Sequence, residues 1–419
     1  MNDKGSQKAE IRQISRNRFP NVPHFSYFYT LLDHRLHSRQ MKLRLVLLLL
    51  LAGLQSIQSK ELVWFDGNKP ITYTLMSGKN DVVETALQLF EEDMKAVTGK
   101  SAEQVSKGII EIYQLNQLKD KVFARLERHH LPVSEIITHH DSYAIACYKG
   151  RIMVLGSDAR GTAYAIMHLA SMAGVSPWIW WGDIVPAKKH RLSIDDSMRE
   201  IVVPSVEWRG LLLNDPLATL SAWSKNTLDN GIEQGEIGPN AWRKLFQLMM
   251  RLRLNCLELG TAKETEAFYS HRKNISTASE CGIEVWANSN IISQAKHGSR
   301  QEKLPLPAQF TSNENRCEVH LSHNGKQADW IWLPTASPGL IFNELNTAWS
   351  NGVKHLWIAE IHEPKLVAYQ LSMFSDMAWD NELLTSSTPE SYMKVFFQYH
   401  FGKERCHFVM FLFNKFILA

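Results

Sequence analysis

The stretch Trp208-Arg-Gly-Leu-Leu-Leu-Asn-Asp215 places a continuous apolar segment directly before a polar pair, as a buried strand does where it ends. The surrounding segment Val206–Asn214 is therefore predicted to be a strand. A predicted helix over Pro239–Leu252 then leads into a second strand, Leu254–Gly260. Strands that alternate with helices indicate parallel β/α units. The region from residue 201 onward is therefore expected to be a (β/α) barrel-type domain.

The same alternation continues toward the C-terminus, with a helix from about Ala262 to Glu280 and another over Pro338–Asn351. Three further strands are predicted: Ile283–Ala287, Cys317–Asn324 and His355–Ile361. This makes five strands, whereas a closed barrel of this type has eight. The connecting residues 289–316 are rich in Ser, Gln and Lys and show little apolar periodicity. The barrel is therefore expected to be incomplete.

Residues 60–200 predict a separate N-terminal α/β domain. Asp81–Val97 carries apolar residues at helical spacing and stops at Gly99, as helices often do. Strands are predicted over Lys107–Tyr113 and Tyr143–Leu155, and a helix over Thr162–Ala173 follows. The polar run Asp195–Glu200 marks the boundary. The fold class is thus α/β, with a sandwich-like α/β domain followed by an incomplete (β/α) TIM-type barrel at 201–402.

Composition excludes several function classes. A net charge of +3 over 419 residues is too small for a nucleic-acid surface. The five cysteines form no CxxC pair and are expected to be mostly buried thiols rather than a zinc site. No phosphate-binding glycine loop, Ser-His-Asp order or HExxH pattern occurs, so neither a cofactor nor a metal is expected.

An export signal is predicted to begin at Met41. Met41-Lys-Leu-Arg44 is basic, Leu45–Leu54 is apolar, and small and polar residues lead to Ser59. Residues 41–59 therefore resemble a signal peptide, residues 1–40 an upstream extension, and the protein is expected to be periplasmic or secreted. The alternative is a buried apolar segment of a cytosolic protein. Both Leu45–Leu54 and the apolar tail at 403–419 are too short for a stable membrane anchor, and the tail suggests a truncated reading frame.

Several motifs, in order along the chain, resemble glycoside hydrolase family 115, the xylan α-1,2-glucuronidases. The resemblance covers roughly residues 61–402. The segments that carry it are Gly161–Ile166, Gly174–Asp183, Trp208–Asp215, Ile237–Asn255, His320–Gly325, Trp330–Pro334, Trp357–Lys365 and Phe374–Asp380.

The resemblance implies an exo-acting, inverting enzyme that removes (4-O-methyl-)glucuronic acid side chains from xylan or from a uronic-acid-decorated oligosaccharide. Inversion requires two carboxyl groups about 6.5–9.5 Å apart, one to protonate the leaving oxygen and one to activate water. Barrel enzymes place such groups at the carboxyl ends of their strands.

Two strand-end carboxylates are the catalytic candidates. Asp215, together with Asn214, matches an Asn-Asp pair of the family, although an aspartate that caps a loop is equally consistent. Glu363 follows the last strand at a position where the family has an aspartate. Its alternative is a solvated acid beside a helix start. Glu360 stands where the family pattern has an amide.

His323 and Asn324 match a His-Gly pair of the family and are candidates for holding a sugar hydroxyl or the substrate carboxylate. A structural histidine is the alternative. Arg209 could pair a uronate through two hydrogen bonds, or could be a buried arginine paired with an aspartate.

Trp178, Trp180 and Trp181 are candidates for a sugar-stacking platform, with Asp183 anchoring their loop. Packing between domains is the alternative for all three tryptophans. Two other hypotheses remain open for the whole chain. It could be a catalytically inactive relative that binds carbohydrate, or a truncated gene product.

Overall fold

The computed structural model describes residues 60–215, 218–287, 315–321, 336–381 and 388–417. Leu62–Ala419 forms one unit, and Met1–Glu61 forms another, which lies almost wholly outside the described ranges. The predicted signal peptide and upstream extension fall in that outside part. Within the described ranges, no helix combines the length and apolarity needed to cross a membrane.

The N-terminal part contains a two-stranded sheet of β1 (Glu61–Phe65) and β7 (Leu192–Asp195) and a six-stranded sheet of order β3-β2-β4-β6-β5-β8. The strands of the larger sheet are β2 (Thr72–Leu75), β3 (Glu103–Gln104), β4 (Ile110–Gln114), β5 (Tyr143–Tyr148), β6 (Arg151–Gly156) and β8 (Arg199–Val202). Strands β3, β2, β4 and β6 are parallel, whereas β5 is antiparallel to both β6 and β8. The α/β class is confirmed.

Three helices accompany this sheet: α1 (Asp81–Thr98), α2 (Asp120–Arg128) and α3 (Ala159–Met172). Helix α1 begins and ends where predicted. The side chain of Asn80 accepts a hydrogen bond from the Val82 backbone N–H, and Gly99 adopts the left-handed conformation (φ 82°) that terminates helices.

The prediction of one strand over Tyr143–Leu155 was wrong, because the segment is a hairpin. Lys149 (φ 48°) and Gly150 (φ 74°) form its turn, and Tyr148 pairs with Arg151. Positive φ at both central residues matches the right-handed twist of paired strands. Lys149-Gly-Arg151 was the only break in an otherwise apolar run.

The C-terminal part contains a five-stranded, entirely parallel sheet of order β11-β10-β9-β13-β12. Its strands are β9 (Trp208–Leu213), β10 (Cys256–Leu259), β11 (Glu284–Ala287), β12 (Arg316–His320) and β13 (Leu356–Ile361). All five predicted strands are therefore present. The pairings among the described residues leave β11 and β12 as the two edges, so these residues form an open sheet and not a closed barrel.

Among the residues that the structure describes, eight helices accompany the second sheet: α4 (Thr219–Thr227), α5 (Pro239–Arg251), α6 (Ala262–Ser270), α7 (Arg272–Glu280), α8 (Pro338–Ser350), α9 (Ala368–Trp379), α10 (Pro389–Phe401) and α11 (Cys406–Ile417). The predicted single helix over 262–280 is two helices, because His271 leaves helical geometry (ψ 107°).

The apolar tail, which suggested a truncated reading frame, is helical within the described residues, and several of its large apolar side chains are exposed: Phe408, Phe411 and Leu412. It forms α11, which packs on α9 and α10. The ring of Phe413 lies 5.2 Å from those of both Tyr369 and Phe397, and Cys406 is buried. All five cysteines are free thiols, and three of them are buried, as expected from the sequence.

Gly210 in the central strand β9 fits the sheet only without a side chain. A Cβ at this position would lie 2.4 Å from Cys256 Sγ and 2.8 Å from Ile358 Cδ1. We expect Gly210→Ala to lower the free energy of unfolding by about 1–3 kcal/mol, because overpacking forces neighbours to shift. Urea denaturation measures the change. Gly339→Ala in α8 is the matched control, since nothing lies within 4 Å of its added methyl, and it should be neutral or slightly stabilising.

Candidate active site

Side chains alternate across the five-stranded sheet, so that one face packs into the main core and the other forms a separate surface, here called the inner face. The inner face has its own small apolar cluster, made of Trp208, Leu212, Cys256, Trp286, Leu356 and Ile358. Beside this cluster the inner face carries an unusual set of polar side chains for buried strands: Glu258, Arg316, Glu318, His320 and Glu360.

An ion pair shows that the inner face is concave. Arg316 on β12 contacts Glu258 on β10 at 2.8 Å, although β13 and β9 lie between their strands. Three strand spacings of about 4.8 Å would separate these strands by about 14 Å in a flat sheet. The contact therefore requires a strongly curved sheet. Burial raises the pKa of Glu258, and the charge of Arg316 opposes that rise.

Three side chains meet where β9, β13 and β12 end. Asn214 donates from Nδ2 to Glu360 Oε1 at 3.1 Å, and Glu360 Oε2 contacts His320 Nδ1. His362, two residues after Glu360, contacts the backbone oxygen of Asn214 through Nδ1 at 2.5 Å. These contacts fix the carboxyl edge of the sheet, which is where β/α proteins place their reactive groups.

One group at this edge has metal-ligand chemistry. The ligand atoms of Glu318, His320 and Glu360 lie within 4.8 Å of one another. However, Glu318 is exposed and its carboxylate pairs with Arg316 at 2.5 Å. Ion pairing and hydrogen bonding therefore explain the arrangement without a metal ion.

Glu363 follows the end of β13 and is half-buried, which argues against its alternative as a solvated acid. Its Oε2 atom is buried and accepts no hydrogen bond from the described residues. Burial raises the pKa of the Glu363 carboxyl, and the negative charge of Asp215 raises it further. A carboxyl group in such surroundings favours its protonated form.

Asp215 lies between β9 and α4. Its carboxylate caps the start of α4, in agreement with the alternative interpretation of Asp215 as a capping residue. Oδ1 accepts from the backbone N–H groups of Thr219 (2.8 Å) and Leu220 (3.2 Å), and from the Thr219 hydroxyl (3.2 Å). Oδ2 accepts from the backbone N–H of Ser221 at 2.9 Å. Since each carboxylate oxygen accepts about two hydrogen bonds, Oδ2 retains one acceptor position.

Arg209 is corrected from a substrate-binding candidate to a structural residue. Its side chain is fully buried. The guanidinium donates to Asp141 Oδ2 (2.7 Å), to the Val206 carbonyl (2.6 Å) and to the Arg253 carbonyl (2.9 Å). A side chain with no accessible surface and with its donors so engaged is not available to a sugar.

Trp178 and Trp181 are also buried. This agrees with the alternative interpretation that they pack in the protein interior. Trp178 Nε1 donates to Ser372 Oγ at 2.7 Å, and Trp181 Nε1 donates to the Lys244 carbonyl at 3.1 Å. The tryptophan of this loop that does reach solvent is Trp180, which is 38% exposed. The sequence pattern could not distinguish the three.

Trp180 belongs to an aromatic cluster with Trp181 and Trp223, whose rings lie 5.1 and 5.9 Å from its own. Trp223 is on α4, the helix that Asp215 caps. Asp183 of the same loop pairs with Lys365 Nζ at 2.9 Å, two residues after Glu363, although both side chains are more than half exposed. The aromatic cluster therefore borders the carboxyl edge of the sheet.

Asn214, Asp215 and Glu363 were predicted to lie at this edge, and the structure places them there. His323 and Asn324 lie outside the described residues. His320 and His362 were not predicted as site residues, and Glu360 was noted only as standing in place of an amide. The sequence pattern that could have identified them is the recurrence of polar residues at every second position along the strands.

The sequence profile of glycosyl hydrolase family 115 matches residues 202–319 and 298–418 of the chain. No curated protein sequence matches it. Among solved structures it is similar to BtGH115A, a family GH115 4-O-methyl-alpha-glucuronidase with specificity for decorated arabinogalactans. The identity is 22% and the TM-score 0.73, over 85% of this chain. The chain thus spans 62% of the length of BtGH115A.

A weaker likeness is to a GH138 enzyme targeting pectin rhamnogalacturonan II, at 11% identity and a TM-score of 0.44, over 79% of this chain and 66% of that one. The structural likeness to BtGH115A establishes the fold. The two profile matches together cover more than half of the 419 residues. The chain therefore belongs to glycoside hydrolase family 115.

Proposed function

We propose that the protein is a glycoside hydrolase that removes α-linked (4-O-methyl-)glucuronic acid side chains from a plant polysaccharide such as xylan. The observation that carries the proposal is the half-buried Glu363 carboxyl at the carboxyl edge of the curved sheet, beside the charge of Asp215. Family membership and the activity named for BtGH115A support it. Decorated arabinogalactan is the alternative substrate that this structural relative suggests.

The proposed chemistry divides the work between two carboxyl groups with different surroundings. Glu363, whose pKa is raised, protonates the glycosidic oxygen of the leaving chain. Asp215 accepts a proton from water through the free acceptor position of Oδ2, and that water attacks the anomeric carbon from the opposite face. This sequence inverts the configuration of the anomeric carbon. Trp180 offers the exposed aromatic surface on which a sugar ring can stack.

The strand order supports an interpretation of the second sheet as an arc of a (β/α) barrel. The first strand of the sheet, β9, pairs with the last, β13, and the others follow on either side in chain order. A barrel also pairs its first strand with its last, because the sheet closes on itself. The curvature required by the Arg316–Glu258 contact is of the same kind.

The pH dependence of hydrolysis tests the role of Glu363. Because its pKa is raised, Glu363 stays protonated to higher pH than an ordinary glutamate, and kcat/KM should fall only as pH rises through that raised pKa. Asp215→Asn removes one cause of the rise, so the residual activity of this variant should decline at lower pH. Steady-state rates across pH measure both limbs. An alkaline limb at the same pH in both proteins would contradict this role.

A second candidate function is carbohydrate binding without turnover. It is favoured by the hydrogen bonds of Asp215, most of whose acceptor positions serve the backbone of α4. Trp180 and the half-buried Trp223 would remain available to bind sugar. Binding of a uronic-acid oligosaccharide with no released product would identify this function.

We propose in addition that the protein is exported, with the signal peptide at residues 41–59. N-terminal sequencing of protein recovered outside the cytoplasm tests this directly. A mature terminus near Ser59 supports export, and an intact Met41 on a cytoplasmic protein would contradict it.

A further inference from the structure

A second cleft, of about 510 Å³, lies away from the carboxyl edge of the five-stranded sheet. One wall belongs to the N-terminal part, at the ends of β4 and β6 and the starts of α1 and α3. The other wall is formed by α6, α7 and the beginning of β11. Gly282 allows the two walls to meet, since a Cβ there would lie 3.0 Å from both Arg160 and Val82 side-chain atoms.

The cleft is separate from the candidate active site. It is lined by Ile283, Glu284 and Val285, at the amino end of β11. Because the strands of this sheet are parallel, their amino ends share one edge, and Asp215 and Glu363 follow carboxyl ends at the opposite edge. The position relative to the N-terminal sheet is different. Gln114 is the last residue of β4 and Asp158 follows β6, so the cleft lies at the carboxyl ends of these two strands. Open α/β sheets usually bind their ligands at such ends.

Three carboxamide side chains give the cleft its chemistry: Asn80, Gln114 and Asn116. Gln114 is almost fully buried and donates from Nε2 to Asn116 Oδ1 at 2.8 Å. Its Oε1 atom accepts no hydrogen bond from the described residues. Because that oxygen has almost no accessible surface, a ligand in the cleft would meet instead the Nδ2 groups of Asn80 and Asn116, which donate no hydrogen bond to the described residues.

The charges in the cleft argue against an anionic ligand. Arg160 is its only cation among the described lining residues, and its Nε already donates to Asp141 Oδ1 at 2.6 Å. Glu284 lies 4.0 Å from the same guanidinium, and Asp158 caps α3 through the Gly161 N–H. The two carboxylates on the cleft wall therefore give it more negative than positive charge.

We propose that this cleft is an accessory site for a neutral mono- or disaccharide. Carboxamides both donate and accept hydrogen bonds, as sugar hydroxyls do. The half-buried ring of Tyr269 and the exposed Ile275 supply the apolar surface that a sugar ring also needs. The cleft volume falls within the usual range for small-molecule sites, about 300–1,000 Å³. The site would hold a neutral part of a polysaccharide away from the reacting edge.

The test is equilibrium binding of xylobiose, galactose and arabinose to the purified full chain, with glucuronic acid as the anionic comparison. Ser279→Trp fills the cleft from an exposed lining position on α7. Ser276→Trp places the same side chain at an exposed position of the same helix outside the cleft, and is the matched control. Circular dichroism confirms that both variants fold. Glu363→Gln serves to distinguish this site from the candidate active site.

We expect at least one neutral sugar to bind the wild-type chain, and Ser279→Trp to weaken that binding at least tenfold. Binding by Ser276→Trp and Glu363→Gln should match the wild type. The proposal is overturned if none of the neutral sugars binds, if glucuronic acid binds more tightly than all of them, or if folded Ser279→Trp binds as the wild type does. Loss of binding in Glu363→Gln instead would assign the sugar to the carboxyl edge.

Discussion

Replacing Glu363 by glutamine is expected to reduce kcat on a uronic-acid oligosaccharide by about 10²–10⁴-fold, the usual contribution of a general acid. Glutamine keeps the size of the side chain but cannot donate a proton to the leaving oxygen. The loss should be much smaller on an aryl glucuronide, whose leaving group departs without protonation. Initial rates on the two substrates measure this difference.

Glu266→Gln provides the control for this substitution. Glu266 is an exposed glutamate on α6, so its loss should leave both rates unchanged. If Glu363→Gln retained the wild-type rate on the oligosaccharide, the assignment of Glu363 as proton donor would be wrong. An equal loss on both substrates would indicate that Glu363 binds or positions the sugar instead.

The second large effect is expected for stability, at Asp141. This carboxylate is buried and accepts hydrogen bonds from Arg160 Nε (2.6 Å), Arg209 Nη2 (2.7 Å) and Asn255 Nδ2 (2.8 Å). Burial disfavours its ionised form, but the charges of Arg160 and Arg209 outweigh burial and hold the pKa of Asp141 below its ordinary value. The carboxylate joins the hairpin strand β5 to the central strands β9 and β10.

Asp141→Asn should lower the free energy of unfolding by about 3–5 kcal/mol, because it leaves the fully buried Arg209 guanidinium without its counterion and removes the nearest carboxylate from the partly buried Arg160. Asparagine tolerates the left-handed backbone at this position (φ 61°), so the substitution isolates the charge. Since the folded-state pKa is depressed, the stabilisation is present above the unfolded pKa and is lost as pH falls toward the folded one. Urea denaturation at neutral and acidic pH measures both effects.

An exposed ion pair offers the comparison for Asp141. Arg199 and Glu135 are 2.6 Å apart, but both side chains are more than 40% exposed. Glu135→Gln should therefore change stability by less than about 1 kcal/mol. Similar losses in Asp141→Asn and Glu135→Gln would show that burial of the Asp141 network does not set its contribution.

The order of strands and helices could be predicted from the sequence because local patterns determine it. The segments that became β9, β10, β11, β12 and β13 were visible as separate strands, and Gly99 correctly marked the end of α1. The hairpin of β5 and β6 was not visible, because Lys149 and Gly150 are a short interruption in a long apolar run. Breaks that depend on two residues fall below the resolution of hydrophobic patterning.

The candidate site was predictable only in part, for a different reason. Sequence position placed Asp215 and Glu363 after strands, but not whether a side chain faces the inner face, the core or a neighbouring helix. Arg209 and the two tryptophans Trp178 and Trp181 therefore appeared functional, whereas the structure buries them. The Asn214–Glu360–His320 chain depends on which strands become neighbours, and strand order is a tertiary property.

The most direct test of the proposed function is proton NMR of the purified chain, starting near Lys60, incubated with an aldouronic acid oligosaccharide from xylan. The chain should release 4-O-methyl-glucuronic acid, first as the β-anomer, because inversion at an α-linked centre yields that anomer. The same assay with decorated arabinogalactan identifies the preferred polysaccharide. A folded chain that releases uronic acid from neither substrate would contradict the proposed hydrolase, and release first as the α-anomer would contradict the inverting mechanism.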